Sequence, residues 1–182
     1  SSTTATNTSG GTDSTVAANT TAGFSIVKFT LPGTDSNVGH GLSGAPDLVI
    51  YKPVDAVGKW SVYVKGVDGY GQLSEALGFS GTTSNYFGGV PTSSVIPISV
   101  NLGAVGNEMI AYCWESIEGY SKIGTYTGQG GSDNNFIHTG FKPHWVMIKP
   151  KGTGSWRIFD TKRNPFNPVT HASYSNSDAL GS

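Results

Sequence analysis

The chain has 182 residues, only 13% of them charged, about half the usual share for a folded domain, and its commonest residues are Gly (26), Ser (22) and Thr (19). Eleven Lys and Arg against twelve Asp and Glu leave a net charge of -1, which excludes the basic footprint most nucleic-acid binders need. The single cysteine, Cys113, excludes an internal disulfide framework or a zinc finger, and no apolar run approaches the roughly 20 residues of a membrane helix.

Residues 1–22 hold twelve Ser or Thr and, Ala aside, one apolar side chain, Val16. Such a stretch has little to bury against its ordering entropy and reads as an extended arm or linker. Its two sequons, Asn7-Thr8-Ser9 and Asn19-Thr20-Thr21, are matches that so Thr-rich a segment yields by chance. From Gly23 the texture changes to short runs rich in β-branched and aromatic residues, bounded by Gly, Asn, Asp and Pro. The runs at 24–30, 60–64, 94–100, 109–114 and 156–159 predict strands. Residues 72–77 are the one stretch that suits a helix, and they suit a turn equally. Many short strands without regular helical crossovers predict an all-β fold, an antiparallel β-sandwich or barrel. Starting at Ser1 without Met or a basic-then-apolar leader, the chain reads as a piece of something longer.

An internal repeat organises the rest. Gly23-Phe24-Ser25 opens one copy and Gly119-Tyr120-Ser121 a second. Each continues through an aromatic-Thr pair, a turn and a histidine, His40 or His138. Each then passes a Pro-led strand ending in Lys-Pro, at 46–53 and 143–150, and reaches a tryptophan, Trp60 or Trp156. The division predicted is therefore an arm at 1–22, a first β repeat at 23–118 and a second, partial repeat at 119–182, their sheets packed together. Residues 1–119 carry four basic and nine acidic residues, and 120–182 seven and three, so the halves have opposite signs.

The ordered strings Val38-Gly39-His40-Gly41-Leu42, Pro46-Asp47-Leu48-Val49-Ile50, Ile110-Ala111-Tyr112-Cys113-Trp114, the run 119–128 and Thr139-Gly140-Phe141-Lys142-Pro143 resemble a repeated β-rich module. That module occurs in virion and tail-fibre-like structural proteins of marine bacteriophages, cyanophages among them. The resemblance runs over nearly all of residues 20–170. It implies a non-enzymatic virion component on the extracellular surface of the particle, in a tail fibre or appendage used for host attachment, with other virion proteins as partners. It carries no catalytic residues across. A homo-oligomer, a trimer for instance, and a host-surface glycan are the further partners expected, without nucleic acid or membrane insertion. The alternatives are a capsid decoration or assembly protein whose arm lies along a neighbour, and a lectin-like adhesin domain of a bacterial surface protein.

Individual residues add few sites. His40 and His138 invite a metal reading, with Asp35 and Asp133 nearby in sequence, but duplication explains their pairing and the expectation is structural. The turn 130–135 could hold Ca²⁺ through carboxylate, amide and carbonyl oxygens, yet lacks regular carboxylate spacing, so no cofactor is predicted. Glu115 and Glu118 read as a solvated bend rather than a glycosidase pair, and Cys113 as a buried core thiol. Trp60, Trp114, Trp145 and Trp156 are weighed as sugar platforms and assigned to the core. The contact site predicted, for a ligand or for an oligomer, is the loop 81–89 with Asn85, Tyr86 and Phe87 exposed.

Overall fold

A computed structural model describes residues 4–130, 136–163, 165 and 172–175. The strands in chain order are β1 (Ala5–Asn7), β2 (Ser14–Asn19), β3 (Phe24–Thr30), β4 (Ser36–Gly39), β5 (Leu48–Pro53), β6 (Ser61–Val64), β7 (Gly71–Gln72), β8 (Val95–Ile98), β9 (Glu108–Trp114), β10 (Trp145–Ile148), β11 (Arg157–Asp160) and β12 (Ser173–Tyr174). Among the described residues one α-helix, the five-residue α1 (Thr83–Phe87), lies between β7 and β8. The all-β antiparallel expectation holds. A seven-stranded sheet runs β1-β2-β3-β9-β5-β6-β7, with a two-stranded ribbon β4-β8 and a three-stranded sheet β10-β11-β12.

Strand alternation builds the main core. Val27 and Phe29 on β3, Met109, Ala111 and Cys113 on β9, and Val49 and Tyr51 on β5 point to one face, where Val38, Ile96 and Ile98 of the ribbon and Phe87 of α1 cover them. The sandwich is thus closed within the first repeat rather than between the two, because the β4-β8 ribbon and α1 supply its second layer. The opposite face carries Ile50 and Val62, buried against Trp156 of the second repeat.

One local expectation is corrected and one alternative is settled. Residues 1–22 are not a linker over their described length: β1 pairs with β2, and β2 pairs with β3 from Thr15↔Lys28 to Asn19↔Phe24. Backbone pairing, which needs no large side chain, secures this segment, helped by Val16 in the core and by the Ser14 hydroxyl donating to the Gly39 carbonyl at 2.9 Å. At 72–77 the turn reading holds, with Gln72 paired to Ser61 and a turn at 73–74, and the helix lies elsewhere. It is α1, started by the Thr82 hydroxyl accepting from the Asn85 N–H and stopped by Gly88 at φ 86°.

The repeat is visible in register. Leu48↔Val64 through Tyr51↔Ser61 on β5-β6 recurs as Trp145↔Asp160 through Ile148↔Arg157 on β10-β11, offset by 97 on the first strand and 96 on the second. The turns recur too: Lys65 N–H donates to the Asp47 carbonyl at 2.8 Å, and Thr161 N–H to the His144 carbonyl at 3.0 Å. After each Lys-Pro, the ammonium caps turn carbonyls, Lys52 on Pro53 at 2.6 Å and Lys149 on Gly154 at 2.7 Å.

Candidate functional site

The loop 81–89 is mostly committed to the fold. Phe87, expected at the surface, is fully buried, stacked on Tyr51 at 5.4 Å between ring centroids and edge-on to Tyr63 at 6.0 Å. The turn of α1 rotates it inward while leaving Asn85 exposed. Tyr86 is half-buried, stacked on Tyr70 at 3.6 Å, and its hydroxyl pairs with Ser61 Oγ at 2.8 Å. Desolvation raises the Tyr86 phenol above its ordinary value. Asp68 anchors the helix start by accepting from the Thr83 N–H at 2.9 Å, which is the main cause holding that carboxyl below its usual range. Of the three residues predicted as contacts, Asn85 alone is exposed, and its carbonyl accepts from the Asn101 amide at 2.7 Å.

The two histidines part company. His40 is fully buried; its Nδ1 accepts from the Leu42 N–H at 3.1 Å, so the proton sits on Nε2, which donates to the Thr92 carbonyl at 3.2 Å. Burial lowers its pKa from 6.5, opposed by the Thr92 bond and by Glu115. Both ring nitrogens are engaged, whereas His138 is exposed. Asp35 accepts from the Val100 N–H at 3.1 Å. Asp133, and with it most of the turn weighed for Ca²⁺, lies outside the described residues. Among the described residues no three His, Cys, Asp or Glu side chains gather as metal ligands.

Glu115 and the thiol are likewise tied into the fold. Glu115 accepts from the Gly44 N–H at 3.1 Å, tying down the loop ahead of β5, while Glu118 is exposed. Burial pushes the Cys113 thiol up to about 12, leaving no thiolate for nucleophilic chemistry at neutral pH. Asp47, which motif reading passed over, is 8% exposed and joins three elements through Lys65 Nζ at 2.9 Å, the Ser116 N–H at 2.9 Å and its own N–H to the Trp114 carbonyl at 2.8 Å. Burial alone would raise its carboxyl, but the Lys65 and Ser116 hydrogen bonds outweigh it and hold the group low.

Trp156 is buried, donating from Nε1 to the Gln72 carbonyl at 2.9 Å, and half-buried Trp60 joins the same cluster. Trp114 is half-buried beside Tyr112 and Phe24. Trp145 departs from the core reading, with 56% of its surface exposed on β10. Open clefts among the described residues include the following two. One, of about 340 Å³, is lined by Asn19, Thr21, Ala22 and Tyr120; the other, of about 250 Å³, is lined by Ala5, Thr6, Asn7, Val16, Ala18 and Gly41. Their walls offer amide and hydroxyl hydrogen bonds and one ring, but neither a carboxylate nor an imidazole.

No curated protein and no solved structure matches the chain. The model of a family described as a domain of unknown function, DUF7483, matches residues 1–181, and the chain belongs to that family.

Proposed function

We propose that the chain is a non-enzymatic structural module of a phage virion, carried in a tail fibre or surface appendage that serves host attachment and assembled there with copies of itself and with other virion proteins. The observation that supports this reading best is the reproduction of one hairpin register, turn caps included, in β5-β6 and β10-β11. Tandem units that repeat backbone pairing while changing side chains suit an elongated scaffold built by stacking. The polar, sparsely charged surface agrees with a protein held outside the cell, and several weak contacts on one appendage give avidity without a deep pocket. The resemblance to fibre-like phage modules points the same way.

The capsid-decoration alternative loses one of its supports, because the segment it needed as a free arm is strands β1 and β2 of the main sheet. The test is gold labelling of intact particles with an antibody against residues 23–182, viewed by electron microscopy. Label on tail appendages is the expected outcome. Label over the head would transfer the protein to the capsid, and absence of the protein from purified particles would overturn the virion reading.

A further inference from the structure

The two copies of the repeat differ in what lies beside their first strand. β5 is paired on both sides, with β6 and with β9, whereas among the described residues β10 is paired with β11 alone. Its free edge is apolar on both faces: Trp145 is 56% exposed and Val146 36%. Unpaired backbone groups beside exposed apolar side chains form a template for another strand.

The repeat itself specifies what would fit. β9 meets β5 antiparallel, from Leu48↔Trp114 to Pro53↔Met109. Carried across the offset of 97, this register sets Trp145 opposite the place of Trp114, and Pro150 opposite the place of Met109. The place of Glu108, whose carbonyl accepts from the Val54 N–H on the first copy, then falls beside Lys151, and the place of Glu115 falls near His144 and Lys142. Charge agrees with this placement. Residues 136–163 carry six basic side chains against one acidic, Asp160, while β9 and its flank are bracketed by Glu108 and Glu115. The β9 of this chain cannot be the occupant, because it is held between β3 and β5.

We infer that the free edge of β10 is a docking site for one kind of partner: an extended strand of β9 pattern, apolar on both faces and acidic at its ends, supplied antiparallel by a polypeptide segment outside the module, since β9 of another folded copy is held between its own β3 and β5. Backbone hydrogen bonds along β10 supply affinity, and cross-strand contacts with Trp145, Val146, Met147 and Ile148 supply selectivity.

The test is amide hydrogen exchange by mass spectrometry on the full chain, with and without a synthetic peptide of residues 107–116 carrying Cys113→Ser. Exchange over 145–150 is expected to slow at least about tenfold at saturation, with β5 unchanged. A peptide also carrying Glu108→Lys and Glu115→Lys is expected to bind about tenfold more weakly or less, the equivalent of roughly 1.4 kcal/mol. No slowing at saturating peptide, or equal slowing by a scrambled peptide, would overturn the inference. So would a free chain that sediments as a dimer with β10 already protected, since a second β10 would then own the edge.

Discussion

His40 shows how a single side chain can be chemically suggestive and structurally spent. Its pKa is lowered by burial, so the folded state holds the neutral ring while the unfolded chain takes up a proton below about 6.5. The His40 contribution to stability is therefore complete above pH 6.5 and declines as the pH falls from there toward the lowered folded value. Urea unfolding measured from pH 8 to 5 is expected to show that decline in the parent and not in His40→Leu. The variant is also expected to be less stable throughout, by roughly 1–3 kcal/mol for the buried Leu42 N–H left unpaired. Asp47 acts in a separate window: held low by Lys65 and Ser116, it loses its stabilising effect only as the pH falls below the ordinary 3.8. The predicted contact residues divide by the same reasoning. Phe87→Ala is expected to cost about 3–5 kcal/mol, Tyr86→Phe about 1 kcal/mol through the lost Ser61 bond, and Asn85→Ala less than about 0.5 kcal/mol, all read from denaturation midpoints. Any loss of ligand binding in Phe87→Ala is thus a folding effect first.

At the scale of elements, alternation of apolar residues made β3, β6, β8, β9 and β11 legible within a residue or two, because each buries one or both faces. β1 and β2 were hidden because Ser, Thr and Ala can form a strand whose stabilisation comes from a neighbour, and the neighbour's register is not written in the segment itself. α1 was hidden for a related reason: at five residues it lacks a helical period, and its only marks are Thr82 before it and Gly88 after it. Glycines at the two repeat starts show what duplication preserves. Gly23 and Gly119 both have positive φ, 62° and 73°, but a Cβ on Gly23 would come within 2.6 Å of the Glu115 carbonyl oxygen, whereas Gly119 faces open space. Gly119→Ala is expected to cost about 1–2 kcal/mol for the left-handed backbone alone, and Gly23→Ala distinctly more, measured side by side in the same denaturant series.

For the whole molecule, sequence reading found the repeat and the packing of its second copy on the first, but not that the larger core closes without that copy. The main hydrophobic cluster runs from Val16 to Cys113 without a residue of the second copy, while the second copy buries Trp156 against Ile50 and Val62. A fragment of residues 1–118 is therefore expected to unfold in one cooperative transition, at lower denaturant than the full chain by the roughly 3–5 kcal/mol that a buried tryptophan contributes. A fragment of 119–182 is expected to show no cooperative transition. Circular dichroism of both fragments checks the pair of outcomes. If the second fragment folds alone, the layering described for Trp156 is a convenience rather than a necessity.

The lone thiol gives this architecture a clock. Cys113 stands on the strand shared by β3 and β5, at 0% exposure and with its ionisation suppressed, so an alkylating reagent reaches it only when the centre of the sheet comes apart. With no second cysteine to compete, the rate of its modification under native conditions counts openings of the molecule's most central seam, and does so without a label having to be introduced.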